Sequence, residues 1–382
     1  RVCAGVFLLE EKHSLTPEEY VLVQELFGHP ICSGDTATKI LWLRRHEPEI
    51  YAKTAYFLTG SSFLTARLTG KYVIDQSLAK GSFRPLYQAD GGVNEAECGL
   101  YCRPDQIAAC AWSTDIVGTV TPEAAAQTGL AAGTPVITGT GDSTAEAISV
   151  GLVEPGTAFF QYGSSMFYYY CTDHFVGSYV SPQGNGALKG GKAFTVPGTY
   201  CLGDGTNAAG TLTRWVRDLL YSKELDAEKQ GGENAYAVMA REAAAVPPGS
   251  DGLIMLPYIY GERSPLQDAE ATGMLFGLKG THGRAQINRA ALEAVGYSTY
   301  QHLLLFEELG VPPRRIITAG GGTKNAAWMQ IICDMAGMPL TIPEPFQCSS
   351  YGDAMLAALG VGALESFAAL RAALPQGRIL QP

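Results

Sequence analysis

The segment Thr138-Gly139-Thr140-Gly141-Asp142-Ser143 follows the apolar run Pro135-Val136-Ile137, so it sets a carboxylate at the end of a predicted strand, where a helix begins. An aspartate at such a place can cap the helix by accepting from its free N–H groups. It can equally act as a general base, because ligand sites of α/β domains gather beyond the carboxyl ends of strands. The small residues Gly139, Gly141, Ser143 and Ala145 leave room beside it for a hydroxyl group whose proton Asp142 would accept.

Two glycine-rich turns offer anion sites. Gly163-Ser164-Ser165 separates two predicted aromatic strands, Thr157 to Phe160 and Met166 to Cys171. It reads as a plain hairpin turn or as one whose N–H groups and hydroxyls hold phosphate oxygens. Gly320-Gly321-Gly322-Thr323-Lys324-Asn325 follows the predicted strand Ile316-Ile317-Thr318. Three successive glycines are entropically expensive and mark positive φ or the close approach of another group. The helix start after them favours an anion or a nucleotide, and a simple strand-ending turn is the alternative. Glu262 and Arg263, in Gly261-Glu262-Arg263-Ser264-Pro265, read as an ion pair fixing a loop or as catalytic groups. The sequence contains no Walker loop, no zinc-type His/Cys spacing and no Gly-x-Ser-x-Gly elbow. His174 and His302 read as incidental.

The elements that must position these residues follow from punctuation and periodicity. Thr16-Pro17-Glu18-Glu19 opens a predicted helix closed by Gly28, and Thr121-Pro122-Glu123 opens another closed by Gly129. Pro135 to Ile137 reads as a buried strand. From Gly151 the texture becomes rich in β-formers, and the segment from Ser181 to Lys192 reads as a mobile surface loop. A long helix is predicted from Arg284 to Leu309, with Ile287, Ala291, Val295, Leu303 and Phe306 facing a core. Asn325 caps a further helix that ends at Gly337. Strand, glycine turn and helix thus recur, which predicts layered α/β domains with mixed sheets.

With 382 residues, 46% of them apolar and 17% charged, the chain can build two cores and therefore a cleft; the predicted domains are 1–152 and 153–382. A net charge of −10 excludes a nucleic-acid-binding surface as the main function. The nine cysteines lack metal spacing and read as reduced, mostly buried thiols, with no metal site among them. No apolar run is long enough to span a bilayer and no signal-peptide pattern is present, which predicts a cytoplasmic protein without membrane partners.

Two longer stretches resemble the signatures of the FGGY family of carbohydrate kinases. Gly34 to His46, built around Lys39 and Trp42, fits the first; Gly273 to Glu293, through Gly277-Leu278 and Gln286-Ile287, fits the second. The resemblance runs from about Gly34 to the last helix near Leu370. It implies two ribonuclease H-like domains of the actin and hexokinase type around a cleft, the first of them incomplete. ATP would lie on one wall and the sugar on the other.

The same resemblance implies roles. Asp142 matches the catalytic aspartate, with Ser143 beside the substrate. Gly163, Ser164 and Ser165 stand where the family surrounds the γ-phosphate of ATP, Gly210 and Arg214 fall on an ATP-contacting segment, and Gly320, Gly321, Gly322 and Asn325 lie near the adenosine. ATP, Mg²⁺ and a small sugar are the implied partners, and a homodimer is left open. The implied reaction is transfer of the terminal phosphate of ATP to a ketose or polyol, D-xylulose first, then ribulose, other sugars, sugar acids or glycerol. The family's Asp-x-Gly-Thr phosphate hairpin occurs nowhere in these residues, so about 100 residues of the first domain are expected to be missing. The expectations that follow are little turnover by this chain alone or, as the alternative, a catalytically silent nucleotide binder.

Overall fold

The computed structural model describes residues 36–344 and 348–382; the helix expected from Thr16 lies outside them. The first half contains α1 (Thr36–His46), α2 (Gly60–Thr69), β1 (Val73–Asp75), α3 (Gln76–Ala79), β2 (Ala109–Ala111), β3 (Ile116–Thr119), α4 (Pro122–Thr128), β4 (Pro135–Ile137) and α5 (Asp142–Ser149). Local chemistry sets the helix ends. The Thr59 side chain accepts from the Ser62 N–H and Thr121 from the Ala124 N–H, while Gly70 and Gly129 end α2 and α4 at φ 72° and 78°.

Strand β1 pairs in parallel with β2, and beneath them Ala37, Ile40, Ile74, Phe83, Leu86 and Tyr101 form a core. Strand β4 departs from its expectation as a buried strand. Among the described residues it pairs only with β3, antiparallel, with Pro135 exposed and Val136 and Ile137 half-buried. With one partner among the described residues, it has less cover there than a central strand receives.

In the second half, side-chain alternation along β5 (Thr157–Tyr162) dictates the architecture. Ala158, Phe160 and Tyr162 belong to one core and Phe159 to another, and all four are fully buried, so both faces of the strand must be covered. The remaining strands are β6 (Met166–Thr172), β7 (Tyr179–Val180), β8 (Ala187–Leu188), β9 (Lys192–Ala193), β10 (Tyr200–Thr206), β11 (Ile254–Leu256), β12 (Met274–Phe276), β13 (Arg315–Ala319), β14 (Leu340–Ile342) and β15 (Arg378–Leu380). Six of them join β5 in one seven-stranded mixed sheet in the order β15-β14-β13-β5-β6-β10-β9, with β5, β13 and β14 parallel.

Helices α6 (Gly210–Leu220), α7 (Arg284–Glu308) and α8 (Ala326–Ala336) cover the Phe160 face. Helix α5 and α9 (Ser349–Gly360) cover the Phe159 face. Gly352 lets α9 approach α5 closely, since a Cβ there would collide with the Ala145 carbonyl. The helix carrying Asp142 is thereby fixed against the sheet that carries the glycine turns.

The stretch from Ser181 to Lys192 is more structured than its composition suggests. Strands β7 and β8 pair, the Asn185 side chain donates to Glu308 at 2.5 Å, and the Ala187 N–H donates to the Pro265 carbonyl. Anchors distant in sequence, invisible to local turn signals, hold it. Among the described residues no helix is long and apolar enough to cross a membrane.

Candidate active site

Strands β5 and β13 run in parallel, so the turns that follow them, Gly163–Ser165 and Gly320–Gly322, emerge at the same edge of the sheet. Strand β10 reaches that edge too, because Thr206 pairs with Met166, and it leads into α6. Three glycine-bearing segments therefore meet, and their backbones touch. The Gly210 N–H donates to the Gly163 carbonyl at 2.9 Å, and the Thr211 N–H and hydroxyl both donate to the Ser164 carbonyl at 2.9 Å. A Cβ at Gly210 would lie 2.5 Å from the Gly163 oxygen. Gly320, at φ 96°, packs on Tyr162, and a Cβ there would lie 2.6 Å from the Tyr162 oxygen.

The contacts refine the individual roles. The first N–H groups of α6 are committed to the carbonyls of the Gly163-Ser164 turn, so Gly210 supports that turn from behind. The Ser164 and Ser165 hydroxyls make no hydrogen bond among the described residues, and Ser164 is exposed at the tip. The carbonyl oxygen of the Asn325 side chain accepts from the Trp328 N–H at 3.0 Å and caps α8, leaving its amide group directed elsewhere. Arg214 is exposed one turn into α6, and Gly321 is exposed on the turn after β13.

Asp142 opens α5 with an exposed side chain. One carboxylate oxygen, Oδ1, accepts from the Ser143 N–H at 2.7 Å and from the Ser143 hydroxyl at 3.2 Å. Oδ2 is left without a partner among the described residues, and it is the atom able to accept an incoming proton. Ser143 thus orients the carboxylate. One turn further, Glu146 is held above the usual carboxylate range by burial, against a hydrogen bond from Gln161 and with the Asp142 charge adding to the rise. Gln161 in turn lies against Gly163, where a Cβ would come within 2.9 Å of its oxygen. Asp142, Glu146, Gln161 and Gly163 form a continuous line from the carboxylate to the phosphate-type turn.

Asp353 on α9 also faces this line; burial first, then the Asp142 charge, raises its carboxyl. Among the described residues no cluster of three or more His, Cys, Asp or Glu has ligand geometry. A magnesium ion needs no such cage, since it takes one or two carboxylates and completes its shell from phosphates and water. The acidic patch of Asp142, Glu146 and Asp353 fits that donor chemistry.

A second polar group stands at this edge, Glu262, which the sequence singled out but with other partners than those it has. Glu262, 2% exposed, accepts from the Asn207 N–H at 3.0 Å and the Arg263 N–H at 2.7 Å just before α6, and burial pushes its carboxyl to about 7. The expected Glu262–Arg263 side-chain pair is replaced by another: Arg263 turns to Asp204 at 3.1 Å and to the Gly205 carbonyl at 2.9 Å. His302 is not incidental to this loop. Burial lowers it to about 4, so it is neutral; its Nδ1–H donates to the Ser298 carbonyl at 2.7 Å and its Nε2 accepts from Ser264 at 3.0 Å.

The chain is thus a helix-flanked mixed sheet with glycine turns at one edge and a carboxylate near them. Family comparison agrees: residues 13–149 match the N-terminal domain and residues 161–361 the C-terminal domain of the FGGY family of carbohydrate kinases. The chain belongs to that family, and it has the two-domain α/β fold of the actin and hexokinase type. It is 29% identical to a gluconokinase of Bacillus licheniformis over 344 residues, which cover 89% of this chain and 65% of that protein. It is 30% identical to a xylulose kinase of Bacillus subtilis (strain 168) over 340 residues, 88% of this chain and 64% of the relative. The chain thus spans just under two thirds of these relatives. The crystal structure of xylulose kinase from Rhodospirillum rubrum superimposes with a TM-score of 0.83 at 28% identity, covering 100% of this chain and 74% of that one. That of gluconate kinase from Lactobacillus acidophilus, at 22% identity and a TM-score of 0.84, shares the fold.

Proposed function

We propose that the protein transfers the terminal phosphoryl group of ATP to a hydroxyl of a small ketose, polyol or sugar acid, with Asp142 as general base. The observation that carries this reading is the unpartnered Oδ2 of Asp142, connected through Glu146 and Gln161 to the Gly163–Ser165 turn. Phosphoryl transfer asks a protein chiefly for alignment and charge stabilisation. Oδ2 would accept the proton of the attacking hydroxyl, while the Ser164 and Ser165 hydroxyls would donate to the phosphate oxygens. Bound magnesium would neutralise charge on the phosphates, with Asp142, Glu146 and Asp353 supplying the carboxylates nearest to it.

D-xylulose is the first substrate to test. Relatives named for gluconate, xylulose and ribulose all lie near 30% identity, so ribulose and gluconate belong in the same panel. The proposed cellular site is the cytoplasm.

ADP formation by the 382-residue chain with ATP, Mg²⁺ and each of D-xylulose, ribulose, gluconate and glycerol tests the reading. Sugar-dependent ADP release that falls about 10²- to 10⁴-fold in Asp142→Asn supports it. Release indifferent to both sugar and Asp142 would identify a plain ATPase. Nucleotide binding without any product would identify a silent nucleotide binder.

A further inference from the structure

Beneath the Asp142 turn lies a buried acid that this chemistry does not use. Asp75 is 2% exposed, and its Oδ2 accepts from the Ser77 N–H at 3.0 Å and the Thr140 hydroxyl at 3.1 Å. Its Oδ1 is buried with no hydrogen-bond partner among the described residues. Capping α3 accounts for the bond from Ser77 and for nothing else. An asparagine would cap as well without placing a charge out of water, so the buried carboxylate calls for a further role.

Its neighbours come from two directions. Thr140 is two residues before Asp142, in a turn also held by Thr65, whose hydroxyl donates to the Thr138 carbonyl at 3.3 Å, and by the Ser113 carbonyl, which accepts from the Gly139 N–H at 3.0 Å. The second direction is the mixed sheet: the Lys192 ammonium of β9 acts on Asp75 electrostatically. The stem of Lys192 lies against the end of α3, where a Cβ on Gly81 would come within 2.8 Å of its Cδ. Alongside, Ser113 and Thr195 share a buried hydrogen bond, and Arg84 reaches the Gly191 carbonyl at 3.5 Å. Two anchors of the Asp142 turn, Asp75 and Ser113, thus also face the segment at and beside β9.

We propose that Asp75 is a positioning residue: through Thr140 it fixes the turn bearing Asp142, and through Lys192 it ties that turn to the β9 edge of the mixed sheet. The inference rests on the reading of Asp142 as the base. Burial holds the Asp75 carboxyl at about 6, against the Thr140 hydrogen bond and the Lys192 charge. Lys192 from β9 and the Cys110 thiol from β2 are the titratable groups that face it. The Lys192 charge favours the ionised form of Asp75.

The test uses Asp75→Asn, Thr140→Val and Lys192→Met in the 382-residue chain. Amide hydrogen exchange at residues 139–143 is expected to quicken about tenfold in each variant, with the amides of α8 unchanged. Where turnover is measurable, Asp75→Asn is expected to lower kcat about tenfold, move KM for ATP less than about twofold, and erase an inflection near pH 6. Unchanged exchange at 139–143 in all three variants overturns the proposal, as does acceleration spread evenly over the chain, which would mark plain destabilisation. A wild-type chain without turnover counts against the kinase reading alone, since the exchange comparison still decides the role of Asp75.

Discussion

The two walls of the candidate site are held by different physics. At the nucleotide edge, backbone rests on backbone: Gly210 on the Gly163 carbonyl and Gly320 on Tyr162, with no room for a Cβ at either contact. At the Asp142 turn, side chains share the holding with the backbone, through the hydroxyls of Thr65 and Thr140 and the carboxylate of Asp75, beside the Gly139 N–H bond to the Ser113 carbonyl. Steric contact is indifferent to pH and fails abruptly when violated. Hydrogen bonds to a titratable group respond to proton activity and weaken by degrees. A site built this way has one fixed wall and one adjustable wall, the division that the proposed phosphate turn and proposed base would use.

The fixed wall is best broken with Gly320→Ala. The added methyl meets the Tyr162 backbone at 2.6 Å, and a φ of 96° is strained for any residue with a Cβ. Overpacking and strain together are expected to destabilise the protein by about 1–3 kcal/mol in urea unfolding. ATP affinity, read by calorimetry, is expected to fall about tenfold or more, because the Gly163–Ser165 turn loses its support. Gly210→Ala should act in the same direction. Gly321→Ala is the internal control, since no atom lies within 4 Å of its added Cβ and its φ is ordinary. If all three substitutions behaved alike, the close contacts would not be what holds the wall.

This contrast also accounts for what the sequence made legible. Glycine turns and helix caps carry local signals, and Gly163, Gly320, Thr121 and Asn325 each do structurally what their neighbourhoods in sequence imply. The 25-residue helix α7 follows its apolar periodicity, with Ala291, Val295, Leu303 and Phe306 all buried. Asp75 gave no signal in the sequence, and Glu262 was legible as a candidate but without its partners. The surroundings of each come from Thr140, Lys192 or Asn207, set beside it only by the tertiary fold. The same non-locality hid the pairing of Arg263 with Asp204 and the anchoring of residues 181–192 on Glu308.

Glu262 offers a milder probe, because it supports the fixed wall with an ionisable group. Its carboxyl is raised by burial to about 7 in the folded protein from an ordinary value of 4.5. A raised carboxyl contributes stability that is fully present below its unfolded value and is lost as pH rises through the folded one. Wild-type stability should therefore decline between about pH 4.5 and 7, by up to about 3 kcal/mol from this group. In Glu262→Gln the amide oxygen can still accept from Asn207 and Arg263, and denaturation midpoints across that range should show a shallower slope. A slope equal to wild type would mean that Glu262 stays ionised in the folded protein, and that its loop is held by charge on Arg263.

The smallest expected effect sits at the rim between the two walls. Cys348, just before α9, is exposed, and its thiol is drawn below the ordinary range by the Ser350 hydroxyl at 3.0 Å and the Tyr351 N–H, against burial and the Glu146 charge. Cys171 is buried, with its thiol pushed up by burial to about 11, and Cys201 is buried and raised further. Thiolate is the nucleophile, so iodoacetamide should modify Cys348 well before either of them, as peptide mapping would read. Because Glu146 belongs to the line joining Asp142 to the Gly163 turn, bound Mg·ATP should slow that modification about three- to tenfold by covering the rim and altering its charge. Protection by ATP but not by sugar would put Cys348 on the fixed wall. Protection by sugar alone would put the start of α9 on the adjustable wall, with Asp142. Equal rates with and without either ligand would remove Cys348 from the cleft and leave Asp353 as the only link between α9 and the reaction.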